Sequence, residues 1–215
     1  MPIIPLEELK KDKEIKDKLL GHELQFATTW GLFCPEEIDE GTRLLLGTMK
    51  KSAAGNPEAK SATRILDVGC GYGPIGIVLA KEFPEASVEM IDKDFVAVEY
   101  SMKNAAANHV DNARVKTYLS NGFSHVPDGK QYDLIVSNLP AKASKEFYWI
   151  LFGEAFEHLE IGGSIVVVAI RQLEPMTRKS FDAVFGNFQV LAQSNTYSVM
   201  KAVKTKDSTS SQAGK

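Results

Sequence analysis

The segment Arg64-Ile65-Leu66-Asp67-Val68-Gly69-Cys70-Gly71-Tyr72-Gly73-Pro74-Ile75-Gly76 leaves a chain few ways to fold. Its apolar start reads as a strand, glycines then alternate with other residues, and Pro74 stands where a helix begins. Without a Cβ, glycine permits a sharp turn and a close approach of backbone to a ligand. Proline is tolerated in the first helical turn, where its missing N–H costs nothing. The amides at the start of that helix face whatever lies over the turn.

The chain beyond this turn repeats the alternation. Strands are predicted over 64–68, 87–91, 114–119, 132–137 and 164–170, and helices over 74–83, 95–108, 144–159 and 176–185. Short apolar strands alternating with helices imply an α/β fold whose parallel sheet is covered on both faces. Two last strand-like runs, 188–192 and 197–203, have no helix between them and imply an antiparallel hairpin at the sheet edge. Ligands of such sheets bind at the carboxyl ends of the strands, where the winding reverses. Ahead of the sheet, Leu6–Leu20 places Leu6, Leu9, Ile15, Leu19 and Leu20 among lysines and acids and reads as an amphipathic helix. His22–Cys34 has strand character, Pro35 opens a segment whose Ile38, Leu44, Leu45 and Leu46 suggest a second helix, and Lys50–Ser61 reads as a loop. The expected division is an N-terminal extension over 1–62, a sheet domain over 63–204 and a disordered tail over 205–215.

Composition narrows the function classes. A 215-residue chain with 44% hydrophobic and 25% charged residues fits one globular domain and excludes a disordered protein. The longest aliphatic run, Ile165–Ile170, is far short of the roughly 20 residues a membrane span requires. No basic region precedes an apolar run at the start, and Cys34 and Cys70 make no disulfide framework, so a cytoplasmic location is expected. A net charge of −3 argues against strong non-specific polyanion binding and leaves room for a local basic face. The four histidines lack metal-ligand spacing, and no metal is expected.

Gly71-x-Gly73-x-x-Gly76, with Asp92 downstream, formally matches a dinucleotide fingerprint. Asp67 before the first glycine, and the sixty-odd residues before the first sheet strand, point elsewhere. Asp67-Val68-Gly69-Cys70-Gly71-Tyr72-Gly73-Pro74-Ile75-Gly76 resembles the cofactor loop of class I S-adenosylmethionine methyltransferases. It is especially similar to the small-domain family that includes the ribosomal RNA small-subunit guanine-N2 methyltransferases. Gly31-Leu32-Phe33-Cys34 followed by Ile38-Asp39-Glu40-Gly41-Thr42-Arg43-Leu44-Leu45-Leu46 resembles that family's Gly-Val-Phe-Ser…Asp-x-Gly-Thr-x-Leu-Leu segment. Ser120-Asn121-Gly122-Phe123 and Ser137-Asn138-Leu139-Pro140 stand where the family has Ser-Asp-Gly-Phe and Asn-Pro-Pro. The motifs keep the family's order from Gly31 to about Lys201.

The resemblance implies a Rossmann-like seven-stranded sheet, S-adenosylmethionine as cofactor and RNA, first of all ribosomal RNA, as substrate. Carried over, Gly69, Gly71 and Gly73 line the cofactor, with Asp67 near its amino group. Asp92, followed by Lys93, accepts from the ribose hydroxyls, a task that suits an acceptor-only carboxylate. Asn121, with Gly122 and Phe123, lies near the adenine, where the family has an acid. Asn138 and Pro140 belong to the motif that holds the acceptor amine, and positioning against a charged leaving group supplies most of the catalysis.

Departures from the family stand at Leu139, in place of the first proline, and at Ala141, in place of the stacking aromatic. A stacking platform is worth about 1–3 kcal/mol for a base. Phe33, Phe147 and Tyr148 are candidate replacements. Lys142, Lys145, Arg171, Arg178 and Lys179 either meet phosphates or are simply solvated. Two further readings stay open: a nicotinamide oxidoreductase, for which no Tyr-Lys or His spacing is found, and a cofactor-binding module with little transfer. A protein or small-molecule amine is the alternative acceptor, and oligomeric state is not legible.

Overall fold

The computed structural model describes residues 5–55 and 62–205. In chain order they form α1 (Leu6–Leu9), β1 (Lys13–Leu19), β2 (His22–Thr28), α2 (Glu40–Gly55), β3 (Arg64–Val68), α3 (Pro74–Glu82), β4 (Ser87–Asp92), α4 (Phe95–Ala107), β5 (Val115–Leu119), β6 (Tyr132–Asn138), α5 (Lys145–Glu157), β7 (Leu159–Ile170), α6 (Glu174–Phe185), β8 (Gln189–Gln193) and β9 (Tyr197–Val203). Seven strands make one sheet in the order β5-β4-β3-β6-β7-β9-β8. Pairing is parallel from β5 to β7, and β9 is antiparallel to both β7 and β8. The winding reverses between β3 and β6, the expected switch point of an open α/β sheet.

The strands are continuously apolar because both faces are covered. Successive residues point to opposite sides, so Ile65, Leu134, Val136, Val166 and Val168 pack with α2, α3 and α4. Leu66, Ile135, Ile165, Val167 and Ala169 pack with α5 and α6 around Phe152, Phe156, Phe181 and Phe185. Local chemistry sets several helix ends. Asp94 caps α4 by accepting from the Val96 amide, Ser144 caps α5 through Phe147, and Gly186 closes α6 at φ 69°.

Three expectations are corrected. The Leu6–Leu20 helix is a one-turn α1 followed by β1, which pairs with β2 in a separate two-stranded sheet. Ile15 and Leu19 are both buried, and a spacing of four fits one face of a strand as well as a helix. The decision lies in Leu20 and Gly21, both at positive φ, which form a two-residue hairpin turn. Helix α2 runs to Gly55, into the segment read as a loop from Lys50; the rest of that loop, and the tail beyond Thr205, lie outside the described residues. Strand β7 begins at Leu159, not at Ser164. Gly162-Gly163 falls within β7 at a register shift against β6, and a Cβ on Gly163 would lie 2.9 Å from the Glu160 carbonyl.

The β1–β2 hairpin is tied to the sheet domain by side chains of α4. Asn104 Oδ1 accepts from the Ala27 amide at 2.7 Å, while its Nδ2 donates to the carbonyls of Ala27 at 3.0 Å and Tyr72 at 2.8 Å. Asn108 likewise accepts from the Gln25 amide at 3.0 Å and donates to the Gln25 carbonyl at 2.6 Å. Residues four apart on a helix and two apart on a strand are both spaced by about 6 Å. The two asparagines therefore serve β2 as a neighbouring strand would.

Asn104→Ala leaves the Ala27 amide and the carbonyls of Ala27 and Tyr72 without that partner. The variant is expected to lose about 1–3 kcal/mol of unfolding stability in urea, with faster amide hydrogen exchange across 13–28 than in the central strands.

Candidate active site

The glycine turn is held from below by two carboxylates. Gly69, Gly71 and Gly73 have φ of 73°, 56° and 95°, a region other residues enter at a cost. Asp92 Oδ2 accepts from the Gly71 amide at 2.9 Å, and its Oδ1 accepts from the Asp94 amide at 2.9 Å. Asp67 is fully buried, and its Oδ2 accepts from the Gly76 amide at 2.9 Å in the first turn of α3. A Cβ built on Gly69 or Gly71 meets nothing within 4 Å, so this face of the turn is open.

Asp67 Oδ1 is one of three buried side-chain polar atoms without a partner among the described residues. Burial raises the Asp67 pKa to about 7, countered by the Gly76 bond and reinforced by the neighbouring Asp92 charge. Its second oxygen thus has unused capacity for a donor beneath the turn.

Asn138 ends β6, the neighbour of β3, and the Ser137 hydroxyl donates to the Val68 carbonyl at 2.7 Å, joining the two strand tips. Asn138 Nδ2 donates to Asp39 Oδ2 at 2.8 Å and to Thr42 Oγ1 at 3.2 Å. Leu139 is buried and donates its amide to the Val168 carbonyl at 2.8 Å, whereas Pro140 and Ala141 are exposed. The buried Tyr148 spends its hydroxyl on the Pro140 carbonyl, which removes it as a stacking platform.

The residues around 121 divide. Asn121 and Lys93 are exposed, and Gly122 sits at φ 58°. Phe123 is 3% exposed and stacks on His158 with centroids 5.2 Å apart, so its ring belongs to the core and only its backbone lines the loop. Of the cations considered for phosphate contact, Arg171 and Arg178 both pair with Glu174. Lys142 and Lys145 are exposed beside Ala141.

The segment ahead of α2 lies against the glycine turn, because the Tyr72 hydroxyl donates to the carbonyls of Cys34 at 3.4 Å and Glu37 at 3.2 Å. Phe33 is 66% exposed on that segment, and Trp30 is similarly open. Asp39, Thr42 and Tyr197 had no role assigned from the sequence, yet all three join the Asn138 network. Asp39 and Thr42 carry a signal, an Asp three residues ahead of a Thr at a helix start, whereas nothing near Tyr197 marks it.

The chain is similar to known proteins along most of its length. A family model described as the methyltransferase small domain matches residues 23–201. The chain is 34% identical over 188 residues to the Bacillus subtilis protein YbxB, covering 87% of this chain and 89% of that one. It is 32% identical to the ribosomal RNA small subunit methyltransferase C of Serratia proteamaculans, covering 84% of this chain and 49% of the relative. The chain thus spans about half the length of that relative. A T. thermophilus 16S rRNA N2 methyltransferase (RsmC), solved with AdoMet and guanosine, superposes with a TM-score of 0.77 at 24% identity over 90% of this chain and 50% of its own.

A raised folded-state pKa makes the stability contributed by Asp67 complete below the ordinary carboxylate value near 3.8 and lost as pH rises through about 7. Relative to Asp67→Asn, the wild type is expected to lose unfolding free energy between pH 4 and 7, by up to about 1.4 kcal/mol per unit, and to level off above pH 8. Urea denaturation of both proteins across that range checks it.

Proposed function

The chain belongs to the methyltransferase small-domain family, and from that membership we propose that it transfers the methyl group of S-adenosylmethionine to the exocyclic amine of guanine in ribosomal RNA. The observation that carries this is the placing of Asn138 at the tip of β6, hydrogen-bonded strand to strand beside the glycine turn that ends β3. An amide able to receive an amine and a cradle able to receive a cofactor therefore share one switch point.

The residues present fit the cofactor. The open face over Gly69 and Gly71 admits its backbone-facing part, and the unpartnered Asp67 oxygen can receive a donor beneath the turn. Asp92 uses each oxygen once and retains acceptor capacity for ribose hydroxyls, since a carboxylate has about four lone-pair sites. Asn121, Gly122 and the Phe123 backbone form the neighbouring loop, with Lys93 at the mouth. When bound, the cofactor supplies an electrophilic methyl group on a sulfonium centre.

The chain's own residues position the other partner. Asn138 accepts a hydrogen from the amine, which turns the nitrogen lone pair toward the methyl group, and the buried Leu139 keeps the loop seated on β7. The Pro140 carbonyl is held by the Tyr148 hydroxyl, which fixes the loop against α5. Phe33 provides the ring that Ala141 lacks, since it is exposed on a segment pinned against the glycine turn. Lys142 and Lys145 receive the RNA backbone. A cytoplasmic location accompanies a ribosomal substrate, and among the described residues no helix is long and apolar enough to cross a membrane.

Labelled methyl transfer to undermodified cell extract, followed by separate ribonuclease and protease digestion, tests the acceptor class. Label lost to ribonuclease alone is expected; label lost only to protease identifies a protein acceptor instead. Asn138→Ala is expected to lower the transfer rate about 100-fold or more while S-adenosylhomocysteine binding by calorimetry stays within about twofold. Phe33→Ala is expected to raise the KM for RNA about tenfold with little change in kcat, and an unchanged KM would remove Phe33 as the platform.

A further inference from the structure

An amide side chain has two ends of nearly the same shape, one that donates and one that accepts, and only the accepting end can receive an amine hydrogen. The strand that carries Asn138 does not decide which end faces the acceptor, because rotation about the last side-chain bond exchanges them. The decision comes from α2. A carboxylate accepts and never donates, so the end of Asn138 that lies 2.8 Å from Asp39 Oδ2 must be the nitrogen. Its second hydrogen is directed to Thr42 Oγ1 at 3.2 Å, and the Asn138 carbonyl is left on the opposite edge of the amide.

Asp39 is itself locked. Its Oδ2 also accepts from the Thr42 amide at 3.1 Å, as the cap of α2, and its Oδ1 accepts from the Tyr197 hydroxyl at 2.9 Å. The side chain is 8% exposed. Tyr197 remains a donor at any physiological pH, since burial, followed by the adjacent Asp39 carboxylate, pushes its pKa up to about 12. Gly41 is required at this junction, where a Cβ would stand 2.8 Å from the Tyr197 ring and 2.9 Å from Asp39 Oδ2. Side chains from the start of α2, the tip of β6 and the start of β9 thus converge on one carboxylate.

We propose that Asp39, braced by Tyr197 and Thr42, is a positioning residue for methyl transfer that holds the Asn138 amide with its carbonyl presented to the acceptor amine. The inference rests on Asn138 receiving that amine, as proposed above. Asp39 acts through Asn138 alone. Asp39→Asn is not a clean probe, because its nitrogen can face the Tyr197 hydroxyl, which accepts as well as donates, and its oxygen then still serves the Thr42 amide and Asn138 Nδ2. Asp39→Ala removes the acceptor outright and frees the Asn138 amide to turn over.

The test pairs kinetics with a structural signal. Asp39→Ala is expected to lower kcat for methyl transfer to undermodified ribosomal RNA about 10- to 100-fold, with the KM for RNA and the S-adenosylhomocysteine affinity within about twofold of wild type. Tyr197→Phe is expected to fall between. In the Asn138→Ala background, Asp39→Ala is expected to cost no further activity, whereas a role confined to capping α2 would cost the same factor in both backgrounds. The side-chain amide signal of Asn138 in nitrogen-15 NMR, identified by its loss in Asn138→Asp, is expected to exchange slowly in the wild type and to shift and exchange faster in Asp39→Ala. Wild-type kcat in Asp39→Ala, a full additional loss in the double variant, or an unmoved Asn138 signal would each overturn the proposal. If the wild-type protein labels no RNA, the proposed acceptor falls, and the Asn138 signal alone still decides whether Asp39 sets the amide.

Discussion

Everything at the ligand-facing end of this molecule depends on a backbone turn that holds its shape through two carboxylates, one of them fully buried. Three residues at positive φ in five positions form a conformation that a free peptide samples rarely, and Asp92 and Asp67 hold it by accepting from Gly71 and Gly76. Because both acids extend from β4 and β3, the sheet fixes the turn directly. The cost appears at Asp67, a carboxylate in the core with one oxygen unpartnered and a pKa pushed up to about 7 by burial. Strain and unmet polarity of this kind are tolerated where a ligand uses them.

The segment before the sheet is fastened at three depths, each by polar groups with defined geometry. Asn104 and Asn108 bond the edge of β2, the Tyr72 hydroxyl bonds the segment from Cys34 to Glu37, and Asp39 bonds Asn138. Leu24, Phe26, Leu32, Ile38 and Leu45 bury their apolar faces in the cluster that covers α3 and α4. Apolar burial supplies most of the adhesion without direction, and the amide and carboxylate bonds supply the register. Phe33 and Trp30 stay outside that cluster, exposed on the same segment that reaches the glycine turn.

Much of the sheet was legible in the sequence for a definite reason. A strand covered on both faces is an unbroken apolar run, and a helix that begins with Pro74 or after Asp94 announces its own start, so β3, α3, β4, α4 and β9 lie where periodicity and caps put them. Legibility fails where one spacing serves two structures. Ile15 and Leu19 suit a helix or a strand, and only β2 with the Leu20-Gly21 turn separates the two. The run from Ser164 to Ile170 marks only part of β7, because β6 keeps its partner across the irregularity at Gly162-Gly163. In the site, the glycines and Asp92 stand at the strand tips as their order implies, while the Phe123 ring and Tyr148 are turned into the core by packing that no local pattern encodes.

Sequence alone determined the alternating sheet, the glycine turn and the residue types available at the strand tips, because those follow from side-chain period, from the φ range of glycine and from what each functional group can donate or accept. Tertiary structure decided which of those groups face one another. Asp39, Asn138 and Tyr197 lie far apart along the chain, and nothing in the spacing from 39 to 138 to 197 foretells one hydrogen-bonded cluster. The same holds for the direction of the Asn138 amide. An amide carries both a donor and an acceptor, so its sequence identity leaves the choice open, and only the carboxylate brought to it by the start of α2 settles which end is presented.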